Sequence, residues 1–576
     1  MIEIHIYNSR SYIVGQFDPD YYKNANINNA LRKELSYRVE NAEFSSKYKT
    51  GKWDGRISLY YLKDKSFPSG LIYRVRQFLQ ENEIPYKLVD KRIKKPKNLQ
   101  LSCAFEENGK QLRFYQEQAV KEALKKTRGI ISAGTGAGKT FIAIKLIAEI
   151  NSGPYLFVVP SRELLKQTHR EFTKYLRNNG STMKIGMIGD GICEIEKDGI
   201  NIITYQSALA SYNEKFDAKK NQIVQSEFVG ERIRKPTKQL ENEYNSKQIL
   251  YDRKAKYLNN ICNTTKDFNK AIRKEKNALI KAKNAYMSRI EALNNKKEIR
   301  ELIENTNCLI VDETHIAAVI IEKISMRAKN AYYKFGVSAT PFRTDNQEIR
   351  MEGALGRIFY KISASDLIEL GYLVQPKIFI VKYKNNVPTT YEENGVTISK
   401  KYMDIYKECI VHSDIRNNMI KQYAETFHKM GRPTLILVDL IEHGETLENM
   451  IEDAIFVPGS AKSHKDEEDL MPTDEDLDYR RRMLNRVEAN DIILIATSWA
   501  NTGIDAPLIS TLILGSSSGS PVTTMQQIGR ILRTAPGKED AIIIDFFDNQ
   551  KYLRTHSLHR KKIYQLEPKY QVIEIS

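Results

Sequence analysis

The stretch Gly129-Ile-Ile-Ser-Ala-Gly-Thr-Gly-Ala-Gly-Lys-Thr140 decides the fold of this chain. It begins with a short apolar run, continues through a glycine-rich loop, and ends where Lys139 and Thr140 open an apolar-periodic segment. Glycines let successive backbone N–H groups point at phosphate oxygens, and a helix N-terminus adds partial positive charge. The pattern therefore predicts a buried strand, a triphosphate-binding loop and a helix.

The last two residues of the segment have side chains suited to different parts of a bound nucleotide. We expect Lys139 to reach the outer phosphates and Thr140 to hold Mg²⁺. The usual pattern has glycine where this chain has Ala133, and the alternative is a strand-to-helix turn without a ligand. The predicted phosphate-binding residues are Ala133, Gly134, Thr135, Gly136, Ala137, Gly138, Lys139 and Thr140.

The segment before the loop, Gln111–Val120, offers a base-recognition element. A glutamine amide can pair bidentately with adenine. We therefore expect Arg113, Tyr115 and Gln116 to contact an adenine edge and its plane. Taken alone, the segment also suits the start of an ordinary amphipathic helix.

Two further apolar runs are typical of buried strands that end in polar residues. Tyr155–Val159 is followed by Pro-Ser-Arg-Glu, and Gly199–Thr204 is followed by Tyr-Gln-Ser. Ligands meet open parallel sheets at the carboxyl ends of the strands. These polar residues are therefore expected at a ligand-binding edge.

Cys308–Val311 predicts another buried strand, and the sequence Asp-Glu-Thr-His follows it. Two adjacent carboxylates at a strand end suit magnesium chemistry, with Asp312 facing the ion and Glu313 polarising the attacking water. A lone Asp-Glu pair would be an ordinary strand end. Gly336–Pro341 closes a further strand, and its hydroxyls are placed to couple this site to another.

A second α/β half begins after Leu373, with buried-strand runs at Thr434–Val438 and Ile492–Ala496. Near its end, Gln526, Arg530 and Arg533 are four and three residues apart, so they share adjoining parts of one helix face. Two such arginines could reach a phosphate held by the first half. No second glycine-lysine loop occurs here, which favours one nucleotide between two lobes; a salt-bridged surface helix is the alternative.

The first 100 residues predict a small α+β domain. Its expected strands are Ile2–Tyr7, Ser11–Phe17 and Arg56–Leu62, with a helix near Asn26–Val39. Lys47–Arg56 alternates cations with aromatics around Trp53, an arrangement that suits stacking on bases while cations meet phosphates. The alternative is a hairpin turn with Trp53 folded into the core.

Between residues 215 and 305 the composition changes to long, charged helix. Apolar residues recur every seventh position in two arms, which predicts an antiparallel helical hairpin. Its cations suit either a solvated face or a DNA contact. The repeating residues are Tyr244, Tyr251 and Leu258 in the first arm and Ile272, Leu279, Tyr286 and Leu293 in the second.

Composition narrows the class of protein. The 576 residues carry 89 Lys and Arg against 72 Asp and Glu, a formal charge of +17 that favours a polyanionic partner. Five scattered cysteines indicate neither a disulfide framework nor a zinc site. No apolar run approaches the length of a membrane span. We therefore expect a soluble, cytoplasmic protein whose partner is nucleic acid.

In this order, the segments resemble the superfamily 2 helicases of DExH type, over roughly residues 110 to 550. The resemblance implies two RecA-like lobes closing on ATP and Mg²⁺ and a nucleic-acid strand held across them. The matching motifs are AGTGAGKT at 133–140, VVPSRELLKQ at 158–167, ITYQSAL at 203–209, VDETH at 311–315, SATPFR at 338–343, TGIDAP at 502–507 and QQIGRILR at 526–533.

The resemblance implies a role for each matching residue. The ATP-binding residues are Arg113, Gln116, Gly503, Asp505 and 133–140, with Mg²⁺ at Thr140 and Asp312. The catalytic residues are Glu313 as general base, Arg530 and Arg533 as arginine fingers, and Gln526. The nucleic-acid contacts are Ser161, Arg162, Thr204 and Gln206, with Trp53 added from its own segment. The lobe-coupling residues are His315, Ser338 and Thr340.

Three shorter segments resemble the UvsW-type bacteriophage helicases more narrowly: GKWDGRISLYY at 51–61, Glu369–Leu373 and Ile441–Gly444. This implies a DNA helicase that remodels branched or forked DNA, with single-stranded and branched DNA as partners and phage recombination or replication proteins as candidate partners. The long hairpin departs from that pattern. The alternatives are an RNA helicase, a restriction-system motor, or a basic nucleic-acid-binding scaffold with a degenerate nucleotide fold.

The expected architecture is α/β, with two RecA-like parallel-sheet lobes, a small α+β N-terminal domain and a helical-hairpin insertion. The expected boundaries are 1–100 for the N-terminal domain, 101–360 for the ATP-binding lobe with its insertion at 215–305, and 361–576 for the C-terminal lobe.

Overall fold

The computed structural model describes residues 2–15, 27–40, 42–94, 98–217, 222–225, 237–259, 265–315, 318–339, 347–385, 387–393, 396–459, 474–497 and 506–576. Three predicted site residues, Thr340, Gly503 and Asp505, lie outside these ranges. Within the described ranges, no helix combines the length and the apolar character needed to cross a membrane.

The N-terminal segment forms a small unit of mixed strands and helices. Its strands are β1 Ile2–Ile6, β2 Arg10–Val14, β3 Ser36–Arg38, β4 Arg56–Ser58, β5 Ser66–Pro68 and β6 Tyr86–Asp90. Its helices are α1 Ile27–Glu34, α2 Ser46–Lys49 and α3 Ile72–Glu81. One sheet has the order β5-β2-β1-β6, with β1 and β6 parallel, while β3 pairs separately with β4.

The helix expected near residues 26–39 is shorter in the structure. Helix α1 ends at Glu34, and the chain then enters β3. The burial pattern explains why the helix ends early. Leu31 and Leu35 are buried four residues apart, the spacing of a helix. Leu35 and Tyr37 are buried two residues apart, the spacing of a strand. A single period over the whole segment was the wrong prediction.

The first lobe is built on an eight-stranded sheet. Its strands, with a small three-stranded sheet and a hairpin, are β7 Leu101–Cys103, β8 Arg128–Ala133, β9 Tyr155–Val159, β10 Leu176–Asn178, β11 Ser181–Thr182, β12 Ile185–Gly189, β13 Ile192–Cys193, β14 Ile200–Thr204, β15 Glu214–Asp217, β16 Gln222–Gln225, β17 Cys308–Asp312, β18 Tyr333–Ser338 and β19 Ile358–Ile362. The order is β13-β12-β14-β9-β17-β18-β8-β19, and all neighbours are parallel except β12 and β13.

Helices cover both faces of this sheet, so its central strands are buried and mostly apolar. β9 and β14 are buried at every residue. The helices of this part of the chain are α4 Phe114–Lys126, α5 Lys139–Ile150, α6 Arg162–Tyr175, α7 Tyr205–Ser211, α8 Thr237–Asn259, α9 Thr265–Asn305, α10 Ala318–Arg327 and α11 Glu348–Leu355.

The inserted helices α8 and α9 pack as an antiparallel pair. Tyr244 stacks on Tyr286 with ring centroids 6.0 Å apart, and Lys254 Nζ lies 2.7 Å from Glu275 Oε1. The insertion differs from the prediction at both ends. At its start, β15 Glu214–Asp217 pairs antiparallel with β16 Gln222–Gln225, and the end of α9 contributes Ile299, Leu302 and Ile303 to the core of the first lobe. Only the outer part of α9 is therefore separable from that core.

The second lobe has a seven-stranded, fully parallel sheet. Its strands and an added hairpin are β20 Gln375–Lys382, β21 Thr390–Glu393, β22 Val396–Ser399, β23 Thr434–Leu437, β24 Ala454–Val457, β25 Ile493–Ala496, β26 Thr511–Leu514, β27 Asp540–Phe547 and β28 Gln571–Ile575. The order is β24-β25-β23-β26-β27-β20-β28. The helices are α12 Ala364–Glu369, α13 Tyr402–Tyr406, α14 Asp414–Lys429, α15 Ile441–Met450, α16 Asp474–Glu488, α17 Pro521–Ile531 and α18 Leu553–Tyr564. The predicted α/β class with two parallel-sheet lobes is confirmed.

The N-terminal unit docks tightly on the first lobe. Lys334, which is fully buried in the first lobe, donates from Nζ to Ser9 Oγ at 2.7 Å. Ile349 of α11 belongs to the apolar core of the N-terminal unit. A Cβ atom on Gly70 would lie 2.0 Å from the Glu352 carbonyl oxygen, so the two backbones touch. Removing the unit would leave a buried ammonium group and an apolar side chain uncovered.

Candidate functional site

The glycine-rich loop joins β8 to α5 at the carboxyl edge of the first sheet. Gly136 and Gly138 have φ values of +85° and +73°, the left-handed region that favours glycine. A Cβ atom on Gly138 would lie 2.4 Å from Gln116 Nε2. The loop is therefore held close against α4, and a larger residue at Gly138 would displace it.

Ala133, where the usual pattern has glycine, is the last residue of β8. Its methyl group is fully buried in the core of the first lobe, and its backbone pairs with Ile362 of β19. The next residue, Gly134, donates its N–H to the Ile362 carbonyl oxygen at 3.0 Å. Alanine fits here because its side chain packs into the core and leaves the loop opening clear.

An ion pair joins the start of α5 to the end of β17. Lys139 Nζ lies 3.3 Å from Glu313 Oε1, and both side chains are only 15% exposed. Parallel strands place their carboxyl ends at one edge of the sheet, which explains how residues so far apart in sequence meet. The structure thus brings the predicted phosphate-binding cation and the predicted general base together.

The two neighbouring carboxylates differ in electrostatics. Burial raises the pKa of Asp312, and the charge of Glu313 raises it further. Burial also acts to raise the pKa of Glu313, but Lys139 and His315 outweigh it, so that pKa is lowered. Glu313 is therefore the carboxylate that stays ionised, while Asp312 is the one whose ionised form a cation would stabilise most.

The backbone fixes Glu313 in an unusual conformation. Its φ of +49° lies in the left-handed region, and its N–H donates to Asp312 Oδ1 at 2.9 Å. Its other carboxylate oxygen, Oε2, is buried 3.3 Å from His315 Nδ1 and accepts no hydrogen bond from the residues that the structure describes. A buried, unsatisfied acceptor costs free energy unless a ligand or water satisfies it. This oxygen is suitably placed to accept a hydrogen bond from an attacking water.

Arg113 and Gln116 lie beside the loop, and their contacts with an adenine base stay a prediction. Gln116 already uses both ends of its amide, accepting from the Arg113 N–H at 2.9 Å and donating to the Ala137 carbonyl oxygen at 2.8 Å. The Arg113 guanidinium lies 4.1 Å from the ring centroid of Tyr372, which also contacts Tyr115 edge-on. Tyr372, to which the sequence assigned no role at this site, thus joins Arg113 and Tyr115 beside the loop.

The second lobe reaches this site through α17. A Cβ atom on Gly529 would lie 2.4 Å from Thr135 Cβ, so α17 packs directly on the phosphate-binding loop. Gln526 Nε2 lies 3.3 Å from His315 Nε2, and His315 Nδ1 lies 2.9 Å from Ser338 Oγ. His315 therefore contacts β18 of its own lobe and α17 of the other, which is the arrangement that lobe coupling requires.

Arg530 lies one helical turn after Gln526 on α17. Burial and the neighbouring Arg533 lower the pKa of Arg530 to about 10, and the charge of Glu313 acts in the opposite direction. Arg530 therefore stays cationic at neutral pH and lies within electrostatic range of the predicted base. The backbone of Arg533 forms a β-bridge with Leu373, whose side chain lies over Gly136.

Two buried arginines that sequence reasoning missed hold the loop that leads into α17. Arg416 is fully buried, lies 3.2 Å from Asp548, and donates to the Gly515 carbonyl oxygen. Arg560 pairs with Asp545 at 2.9 Å and donates to the Ser518 carbonyl oxygen. Neither arginine could be recognised as buried from sequence, because each lies in a helical segment with the composition of a surface helix.

The predicted nucleic-acid contacts of the first lobe lie along the same edge of the sheet, at the starts of α6 and α7. Ser161 caps α6 and accepts from the Leu164 N–H, while Arg162 lies 3.0 Å from Asp190. Thr204 caps α7 and is 2% exposed, so its side chain is not presented to a ligand in this structure. Gln206, the second residue of α7, is exposed.

In the N-terminal unit, Trp53 is half-buried and donates from Nε1 to the Arg56 carbonyl oxygen at 2.7 Å. The ring is therefore held by its own turn and is not part of the described apolar core of the unit, and its contact with nucleic acid stays a prediction. Phe44, which the sequence did not single out, is 72% exposed. It stands beside the exposed lysines of α2, Lys47 and Lys49.

The contact between Gly529 and Thr135 supplies a prediction about lobe closure. Gly529→Ala should lower ATP turnover by about 10- to 100-fold, because a displacement near 1 Å at a catalytic site has costs of that order. Nucleotide affinity of the first lobe should change little. The measurement is steady-state hydrolysis together with fluorescent-nucleotide binding.

Gly537→Ala is the matched control, because nothing lies within 4 Å of a Cβ atom there. Its φ of +77° predicts some loss of stability, of about 1 kcal/mol, without loss of turnover. Unchanged turnover in the Gly529 variant would mean that α17 does not close on the loop during hydrolysis.

Comparison with known sequence families gives three matches along the chain. Residues 21–90 match the family described as "DNA helicase UvsW, N-terminal". Residues 109–229 match "Type III restriction enzyme, res subunit", and residues 469–535 match "Helicase conserved C-terminal domain".

Individual relatives give the same pattern. The chain is 22% identical over 553 residues to the "ATP-dependent DNA helicase uvsW" of Enterobacteria phage T4, covering 93% of this chain and 89% of that protein. It is 44% identical over 98 residues to the "DNA 3'-5' translocase XPB2" of Sulfurisphaera tokodaii, covering 17% of this chain and 20% of that protein. A helicase-named protein of Sulfolobus islandicus filamentous virus is 25% identical over 290 residues, so the match spans about half of each chain, 49% in both. The crystal structure of T4 UvsW aligns over 100% of this chain and 98% of that one, with 19% identity and a TM-score of 0.39.

Proposed function

Because this chain is an ATP-hydrolysing helicase of superfamily 2, related to the UvsW-type phage helicases, we propose that it uses ATP to remodel forked or branched DNA. We propose that it does so in phage recombination, replication or repair, in the cytoplasm of an infected cell. We also propose three functional units, residues 1–100, 101–360 and 361–576.

One observation carries the enzymatic part of the proposal. Lys139 and Glu313 of the first lobe and Arg530 of the second converge on one edge of the first sheet. On triphosphate binding, Lys139 turns from Glu313 to the outer phosphates, and Glu313 is left to orient and deprotonate water. Arg530 stabilises the charge that develops as the terminal phosphate leaves. Turnover therefore requires closed lobes.

The donor set at the carboxylates fits Mg²⁺ bound together with ATP. Thr140 offers a hydroxyl and Asp312 a carboxylate whose ionised form is disfavoured by burial until a cation is near. When bound, the ion would neutralise phosphate charge in the transition state. The chain's own part is to hold these two oxygens at the loop and the strand end.

The contact between α7 and β17 supports coupling of the nucleic-acid edge to catalysis. Tyr205 donates its hydroxyl to the Asp312 carbonyl oxygen at 2.6 Å. Tyr205 follows Thr204 and precedes Gln206, two of the predicted nucleic-acid contacts. A bound nucleic-acid strand that shifts the start of α7 would therefore act on the backbone of β17 through this one hydrogen bond.

The N-terminal unit supports the preference for branched DNA. Its docking on the first lobe is buried and extensive, so it would move with that lobe as a rigid body. Phe44 and Trp53 offer aromatic surface, and the exposed Lys47, Lys49 and Lys52 offer cations for phosphates. Aromatic rings beside cations suit the unpaired bases at a fork.

The proposed function is tested with a fluorescently labelled fork whose strands separate or re-pair during remodelling. ATP should drive the change, and a non-hydrolysable analogue should not. An ATP-dependent change in RNA hairpins but not in DNA forks would support the RNA helicase alternative instead. DNA translocation without any change in a fork would support the restriction-motor alternative, which the match of residues 109–229 keeps open.

Phe44 gives a specific prediction for fork recognition. Phe44→Ala should lower the ratio of forked to single-stranded DNA affinity by about 5- to 100-fold, because base stacking on an aromatic ring contributes about 1–3 kcal/mol. ATP hydrolysis with single-stranded DNA should be unchanged. Binding titrations at one fixed salt concentration measure the ratio.

Tyr391→Ala on β21 is the control, since that ring is 45% exposed but belongs to the second lobe. An unchanged ratio for Phe44→Ala would assign the exposed ring no part in fork recognition. Point variants are preferable to removal of residues 1–100, because removal would uncover Lys334 and Ile349.

A further inference from the structure

The α8–α9 hairpin rises from the edge of the first sheet that carries the predicted nucleic-acid contacts. At its base, Ile299 belongs to the core cluster against which Cys193 of β13 packs. Ile195, which follows β13, packs against the same cluster, so the end of α9 lies beside β13. The turn preceding β13 contains Asp190, the partner of Arg162.

From Glu291 to its start at Thr265, α9 extends beyond that edge. At about 1.5 Å per residue, this outer part is about 40 Å long. Helix α8 packs along it through the Tyr244–Tyr286 stack and the Lys254–Glu275 ion pair. The hairpin is therefore a paired-helix arm that extends beyond the edge of the sheet where the predicted nucleic-acid contacts lie.

The two faces of this arm differ in charge. Ile272 and Ala282 are buried against α8. Residues 268–290 contain one carboxylate, Glu275, and it is turned inward to Lys254. The exposed cations on the opposite face are Lys270, Arg273, Lys274 and Lys281. None of these four cations forms a salt bridge with any residue in the described ranges.

The polar residues between these cations complete the outer face. Asn277, Asn284 and Ser288 are all exposed and lie on the same side of the helix, by its 100° rotation per residue. Amides and hydroxyls are ordinary donors to phosphate oxygens. Tyr286, the aromatic residue of α9 within 270–290, is turned inward onto Tyr244. Among the described side chains of α9 between 270 and 290, the outer face thus offers phosphate donors and no ring for stacking an unpaired base.

We propose that this outer face of α9, defined by Lys270, Arg273, Lys274 and Lys281, binds the phosphate backbone of a duplex DNA arm. The inference rests on the proposed function, and it names a second DNA contact for the same enzyme. A duplex fits better than a single strand because its phosphates follow a rigid path, while single-strand binding sites combine cations with stacking rings. The hairpin then holds the duplex that enters or leaves the lobes.

The test is a variant with all four outer cations replaced: Lys270→Gln, Arg273→Gln, Lys274→Gln and Lys281→Gln. Binding to linear duplex DNA and to a fork is titrated over a series of salt concentrations. Each lost phosphate contact should lower the slope of log affinity against log salt by about 0.9, so a fall of about 3 to 4 is expected. Duplex affinity near 0.1 M salt should fall at least about tenfold, while ATP hydrolysis with a short single strand stays the same.

The control carries the same change in charge at the opposite edge of the first lobe: Lys121→Gln, Lys125→Gln, Lys126→Gln and Lys329→Gln, all exposed in the structure. Circular dichroism of both variants verifies that the helices remain folded. Equal slopes for the two variants would overturn the inference.

Exposed apolar side chains on the flank of the arm favour a competing occupant, a protein partner. Ile280 and Met287 are 46% and 54% exposed, as a protein-binding surface would require. If Ile280→Ser with Met287→Ser lowered fork binding while the four glutamines did not, the DNA contact would be wrong. Use of linear duplex separates this test from the proposed function, because duplex binding by the arm does not require a preference for forks.

Discussion

Arg530→Lys should lower ATP turnover by about 10³-fold or more. An arginine that stabilises the transferring phosphoryl group contributes about 10³ to 10⁵ in rate. Lysine keeps the charge but lacks the planar fork that binds two phosphate oxygens at once. The effect should fall on kcat, because the ground-state phosphates are held by the loop of the first lobe.

The comparison that makes this result interpretable is Arg554→Lys, on an exposed position of α18 in the same lobe. Its turnover should equal that of the parent. Single-turnover hydrolysis and nucleotide affinity are measured for both variants. If the Arg530 variant hydrolysed ATP within about threefold of the parent, α17 would be a structural helix, and its approach to Thr135 would have no catalytic meaning.

Glu313→Gln should stall hydrolysis while ATP binding persists. Glutamine has the shape of glutamate but cannot accept the proton from water, and general-base catalysis contributes about 10² to 10⁴ in rate. The lowered pKa of Glu313 means that the parent holds the base in its ionised form at neutral pH. The variant should therefore retain nucleotide and trap the closed state.

Glu122→Gln provides the control, because that carboxylate pairs with Lys125 on the surface helix α4, away from the loop. Hydrolysis by the Glu313 variant near the parent rate would place the base elsewhere. Loss of nucleotide binding in this variant would show instead that the Lys139–Glu313 pair is needed to form the loop.

The sequence predicts the parts of this fold that local patterns specify. Strand β9 is apolar throughout and β8, β14 and β17 are largely apolar and buried, which is what a sheet covered on both faces requires. Their polar ends converge because parallel strands share one carboxyl edge. The pairing of Lys139 with Glu313 could therefore be anticipated from sequence, although its 3.3 Å distance could not.

Other features depend on partners far away in sequence. The break between α1 and β3 depends on pairing with residues 56–58, which no helical period reveals. Gln116 holds the loop with both ends of its amide because Ala137 lies against it in three dimensions. Arg416 can be buried because its guanidinium donates to carbonyl oxygens about 100 residues away, at Leu514 and Gly515. Its own segment has the composition of a surface helix.

The insertion illustrates a third limit. The heptad pattern predicts a hairpin, and α8 and α9 form one, but the pattern does not show where the hairpin ends and the lobe begins. Ile299 and Ile303 continue the helix into the core of the first lobe. Apolar spacing is the same on both sides of that boundary, so only the tertiary packing distinguishes them.

The most direct test of the account is ATP turnover at saturating ATP and Mg²⁺, measured without nucleic acid and with three ligands of matched sequence: single-stranded DNA, forked DNA and RNA. The account predicts slow turnover alone, stimulation by single-stranded DNA, greater stimulation by the fork, and little by RNA. Turnover that is independent of nucleic acid, or is stimulated more by RNA than by DNA, would contradict it.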